Sequence, residues 1–215
     1  MAAALADKGL EAAALLSMAA MFLKYRGDLD ARSRETSRLG KQALKLFVET
    51  QDRRGQAMTK HWLAVAQWTL QERETAITLA EDAVALWREI EDRIMEGNEL
   101  HTIAGWQIAQ SRPHRAAAAS ERALELFLEA GVGGTRELNS VQSLVRAHIG
   151  NGEPWRALWV AEDAVMRFRG SQSKKEEALA LLMVAEGYIH SPSGRKQGAQ
   201  DVQLRVSAKR GPPPQ

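Results

Sequence analysis

The chain contains no cysteine, which excludes a disulfide framework, a thiolate zinc site, an iron–sulfur cluster and a cysteine nucleophile together. It has almost no net charge, 29 Lys and Arg against 27 Asp and Glu, so nucleic acid or an acidic membrane is not expected as an obligate partner. Proline is scarce where structure is dense: only Pro113 and Pro154 precede Pro192. No window alternates apolar and polar residues as a half-buried strand does, so strands are not expected. The apolar stretch from Ala12 to Leu23, broken only by Ser17, is too short to span a bilayer. It follows Asp7 and Glu11 with no basic segment ahead, which argues against a signal or transit peptide and for a buried first helix. These features set the expectation of a cytoplasmic protein held together by packing alone.

What the chain does have is length and repetition. Its 215 residues suffice for one ordinary domain or two small ones. Four segments superpose without gaps: Ala43 to Phe47, Ala83 to Trp87, Ala123 to Phe127 and Ala164 to Phe168, recurring about every forty positions. Each places a small, an aliphatic and an aromatic residue on one helical stripe. A second alanine lies two helical turns earlier in three of them, giving Ala76/Ala83, Ala116/Ala123 and Ala157/Ala164. Small residues two turns apart let a neighbouring helix approach closely. Pro113 and Pro154 occupy the same repeat position, where the first turn of a helix tolerates proline because its missing N–H would be unpaired anyway. Asp52-Arg53 and Asp92-Arg93 mark chain reversals one repeat apart.

The pattern predicts nine helices at about 9–26, 31–50, 56–70, 73–91, 95–110, 113–130, 136–149, 154–169 and 174–189. The fold expected is all-α, a right-handed α-solenoid of about four and a half antiparallel helical hairpins across residues 1–190. Residues 191–215 differ in material, with five basic side chains against Asp201 and four of the six prolines. They are expected to form a basic, mostly disordered tail with at most a short helix near 199–208.

At Leu63-Ala64, Ile103-Ala104, Gly152-Glu153 and the three alanine pairs the sequence resembles the tetratricopeptide repeat (TPR) superfamily over about residues 12–190. Its period is similar to the longer-repeat branch of Leu-Gly-Asn spindle-orientation adaptors and MalT-like sensor domains. Gln71 and Ser111 stand where the family places a turn glycine, and the first hairpin carries extra residues across 27–35. The resemblance implies a binding scaffold without chemistry of its own, whose first helices line a concave face. Taking Ala64, Ala104 and Val145 as equivalent, the facing rows are His61, His101 and Gln142; Met58, Asn98 and Asn139; Val65, Gly105 and Arg146; and Trp68, Ile108 and Ile149.

The candidate peptide-binding residues are therefore His61, Trp68, Asn98, His101, Asn139, Gln142 and Arg146. Amides can bond a peptide backbone, Arg146 an acidic group, and Trp68 can stack on an anchor side chain. The alternative reading makes the apolar row interhelical core and the polar row merely wet. His61 and His101 lack the carboxylate and further ligand that a metal site needs, so no metal or cofactor is expected. Gly131-Val-Gly-Gly134 follows no strand and reads as a helix C-cap, not a phosphate loop. Glu81/Asp82 and Glu162/Asp163 recur at the repeat period and read as a solvated face, not catalytic dyads. Trp155 and Trp159 have no counterparts in the other repeats and mark either an exposed anchor or a contact with the tail.

No constellation of acid, base or nucleophile supports an enzyme, and no small-molecule substrate is expected. The function expected is a non-catalytic adaptor that holds a peptide segment of a partner protein. The second reading is accessory binding of nucleic acid or an anionic surface through the tail, where four net positive charges would give weak, salt-sensitive affinity.

Overall fold

A computed structural model describes residues 2–24, 27–171 and 173–191. The proposed tail beyond Ser191 lies outside them. Among the described residues there are nine helices and no strand: α1 (Ala2–Phe22), α2 (Leu29–Glu49), α3 (Arg53–Thr69), α4 (Arg73–Glu89), α5 (Arg93–Ala109), α6 (Pro113–Glu129), α7 (Thr135–Gly150), α8 (Pro154–Gly170) and α9 (Lys174–His190). The chain divides into two compact units, Met1–Ile103 and Ala104–Gln215, with the division falling inside α5.

Eight of the helices follow the sequence reading closely at both ends. The first differs, beginning at Ala2 and ending at Phe22. Its opening alanines have the best helix propensity of any residue, so the helix starts earlier than the apolar run predicts. The extra residues near 27–35 are absorbed into α2, which begins where the Asp28 carboxylate accepts the backbone N–H groups of Asp30 and Ala31 at 3.0 and 3.3 Å. Both helices are a full turn longer than the others as a result.

The joints show a shorter period than the sequence reading found. Gln51, Gln71, Glu91, Ser111, Gly131 and Gly152 all adopt positive φ, between 54° and 72°. They recur at half the hairpin repeat. At each the next N–H returns to a carbonyl in the last turn of the helix just ended: Asp52 to Phe47, Glu72 to Gln67, Asp92 to Trp87, Arg112 to Gln107, Val132 to Phe127 and Glu153 to His148, at 2.9 or 3.0 Å. This closure satisfies carbonyls that a helix end otherwise leaves open. Asp52 and Asp92 then cap the following helix, accepting from the N–H of Gly55 at 2.9 Å and of Met95 at 3.1 Å. Helix and turn therefore form one cassette that recurs along the chain.

Left-handed backbone costs a residue with a Cβ about 1–2 kcal/mol, part of which glycine gives back through its larger unfolded-state entropy. Gln51→Gly and Glu91→Gly are each expected to raise stability by about 0.5–1 kcal/mol, and Gly152→Ala to lower it by a similar amount. Urea denaturation midpoints would check all three.

In the first unit, α1 packs on α2, α2 on α3 and α3 on α4. Ala12 and Leu16 of α1 meet Ala43 and Phe47 of α2, with Trp62 of α3 against them. Ala57 of α3 meets Ala83 and Trp87 of α4. The approach of α3 to α2 is close enough that a Cβ on Gly55 would overlap the Phe47 ring. In the second unit, α7 packs against α6, α8 and α9 around Val141, Leu144, Val145, Ala161, Ala164 and Phe168. The recurrent aromatics Phe47, Trp87, Phe127 and Phe168 are 4%, 1%, 1% and 2% exposed, and all six alanines of the three pairs are fully buried. The stripe read from sequence is buried in all four repeats.

Candidate functional site

The residues proposed to face a ligand lie on α3, α5 and α7, and the two units treat them differently. In the first unit most are committed to the protein itself. His61 sits one turn after Met58 on α3, and its Nδ1 lies 2.8 Å from Oε2 of Glu99 on α5. Glu99 is only 2% exposed, so the imidazole is the polar partner that a buried carboxylate requires. The His61 ring also meets Trp62 edge to face, with centroids 5.2 Å apart. Trp68, near the C-terminal end of α3, carries the Arg73 guanidinium 3.9 Å above its ring centre, and Arg73 donates to the Trp68 carbonyl. Asn98 is half-buried, and its amide points back to the Met95 sulfur at 3.6 Å. His101 is half-buried too, with Nδ1 shut away from solvent. Burial alone holds its pKa below the usual histidine value, which favours the uncharged ring.

In the second unit Asn139, Gln142 and Arg146 follow one another at i, i+3 and i+7, one stripe of α7. Asn139 and Arg146 are exposed and Gln142 half-buried, while Leu138, Val141 and Val145 beside them point into the core. α7 is amphipathic by construction. Its apolar side is fixed by the repeat, which leaves amide and guanidinium groups on the opposite side for contact. Ile149, from the row expected to be apolar, packs against the second unit's core. That residue follows the interhelical reading.

Trp155 and Trp159 of α8 are brought together elsewhere. They line a cleft of about 320 Å³ with Leu124 and Leu128 of α6 and Leu144 and His148 of α7. Trp159 is 39% exposed, and Arg156 stacks over Trp155 at 5.0 Å. Glu121, Asp163 and Arg167 stand around the cleft. His148 shares a contact of 3.0 Å with Glu153, whose carboxyl that bond holds below the ordinary glutamate range. The absence of these tryptophans from the other repeats is the sequence signal for this place.

The recurring acidic pairs on second helices are partly engaged as well. Asp82 takes Lys60 at 2.5 Å, Asp163 pairs with Arg167, and Glu162 accepts from the Tyr188 hydroxyl at 3.3 Å. Among the described residues no group of three or more His, Cys, Asp or Glu is placed to hold a metal ion.

Sequence reasoning missed a second acidic row. Gln56, Glu96, Glu137 and Glu177 open the first helices one repeat apart, and they are 5%, 3%, 6% and 9% exposed. Three of them are clasped by arginine from a second helix: Glu96 by Arg88 at 2.7 Å, Glu137 by Arg167 at 2.7 Å and Glu177 by Arg169 at 2.8 Å. Gln56 donates to the Phe47 carbonyl at 3.0 Å instead. The Arg169 bond, with help from Lys174, lowers the Glu177 pKa. The row is a clasp, not a site.

No known family profile and no curated protein matches the sequence. Solved structures do match. A protein of Podosopora anserina described as a putative kinesin light chain with nearly identical TPR-like repeats is 18% identical, covers 91% of this chain with 92% of its own length, and gives a TM-score of 0.68; a point variant of the same protein gives the same values. BtubC (BKLC) from P. vanneervenii is 15% identical, with 99% and 94% coverage and a TM-score of 0.57. At these identities the likenesses show the fold: the chain folds as a TPR-like helical repeat.

Proposed function

We propose that this protein is a non-catalytic interaction scaffold that holds a peptide segment of a partner protein. The observation that carries this reading is the α7 stripe, where Asn139, Gln142 and Arg146 present amide and guanidinium groups on the face opposite a packed core. Extended peptides expose unpaired backbone N–H and C=O groups, which amide side chains can satisfy in either sense. Arg146 supplies a fixed positive charge and a planar fork suited to an acidic side chain. The peptide expected on this face therefore carries a carboxylate. In the first unit Asn98, His101, His61 and Trp68 are the corresponding contact residues. His61 and Trp68 would contribute alongside Glu99 and Arg73, which they already meet.

The test is affinity capture from the native source with identification by mass spectrometry, run beside an Asn139→Ala/Gln142→Ala/Arg146→Ala variant. Since these side chains sit outside the core, the variant is expected to unfold within about 0.5 kcal/mol of the parent while losing at least tenfold in partner affinity. Equal affinity in parent and variant would reject this face. Turnover of a substrate panel by pure protein would reject the non-catalytic reading.

A further inference from the structure

The last helix among the described residues, α9, is built like its predecessors but is left partly bare. Ala178, Leu181 and Ala185 of α9 stand one repeat after Leu138, Val141 and Val145 of α7. In α7 these positions are 6%, 0% and 0% exposed, because α8 and α9, the next two elements in the chain, pack over them. In α9 all three are exposed, Leu181 at 46%. Leu182 and Ile189 widen the bare face at 66% and 75%. The repeat therefore leaves an apolar surface in the place where the next stretch of chain belongs.

We propose that residues 199–208 of this same chain cover the Leu181, Leu182 and Ile189 face of α9 as an intramolecular cap. The length fits. The stretch from Ser191 to Ala199 has a reach of up to about 26 Å, more than a reversal back along α9 needs. In helical form 199–208 spans about 15 Å, and Ala178 to Ile189 spans about 16 Å of α9. The pattern fits as well, since Ala199, Val202 and Val206 recur at i, i+3 and i+7. So does the charge: Arg205 and Lys209 share a stripe one position further round, and Glu186 lies between Leu182 and Ile189 on α9. A tethered segment reaches this face at an effective concentration near the millimolar range, which favours it over a second copy at micromolar protein.

Hydrogen exchange followed by mass spectrometry on the full chain is the test. Amides of 199–208 are expected to exchange at least tenfold more slowly than free coil. Those of 178–189 are expected to exchange at least tenfold faster once 192–215 are deleted, or once Val202→Glu and Val206→Glu are introduced in the full chain. Exchange in α7 is the control for folding. Coil-like exchange of 199–208 in the unaltered chain would overturn the proposal whether or not the variants fold. A concentration-dependent dimer that survives the deletion would overturn it too, assigning the face to a second copy.

Discussion

Phe168→Ala is expected to destabilise the second unit by about 3–5 kcal/mol. Phe168 is 2% exposed and touches the cluster that joins α7, α8 and α9. Its removal takes away the transfer energy of a ring and leaves a cavity. The surrounding Ala161, Ala164 and Ala180 are fully buried and too short to fill it. Phe168→Leu should cost much less, because most of the volume remains. The same row supplies a contrasting case. Trp87 fills the position that is phenylalanine in the other three repeats, and its Nε1 is buried without a partner. There Trp87→Phe removes an unsatisfied donor along with some packing, and the two changes offset to within about 1 kcal/mol. Urea denaturation of the three variants, read at constant m, would check the ordering. A Phe168→Ala protein as stable as the parent would mean that the aromatic row does not hold the hairpin.

Arg167→Ala is expected to cost about 2–3 kcal/mol, far more than an ordinary surface arginine. Glu137 is 6% exposed, and Arg167 Nε donates to it at 2.7 Å while the same guanidinium reaches Asp163. Removing the cation leaves a carboxylate in a nearly dry place with its partner gone. The Arg167 side chain is itself 29% exposed, and solvent reaching it keeps the loss below that of a fully buried pair. Arg167→Ala with Glu137→Gln should recover much of the loss, since the uncompensated charge is then absent. A double-mutant cycle tests this directly: strictly additive losses would show that the clasp is not a unit.

The hairpin cores are legible in sequence because each is written by size and apolarity in one linear stripe. Phe47, Trp87, Phe127 and Phe168 with their alanines need no distant partner to be recognised. The joints are not legible in that way, because the usual cue is glycine and four of the six positive-φ joint positions carry Gln, Glu or Ser. At those joints the backbone closure supplies the geometry, and the side chain simply tolerates it. The buried acids escape for another reason. Glu96 and Glu137 look like ordinary exposed helix residues until an arginine from another helix is seen to reach them.

The candidate contact residues divide along the same line. Repeat spacing picks out Asn139, Gln142 and Arg146, and the structure places them on one face of α7. The same spacing also picks His61 and Trp68, whose neighbours Glu99 and Arg73 belong to other helices and cannot be read from the row. Periodicity identifies equivalent positions. It does not reveal which of them are already occupied by the protein's own side chains.

Photo-crosslinking is the most direct test that the first-helix face grips a partner polypeptide. With benzoylphenylalanine at Asn139, at Trp159 in the α6–α8 cleft and at exposed Lys175, the account predicts covalent adducts with the captured partner from position 139 alone. Adducts only from 159 or 175, with none from 139, would contradict it.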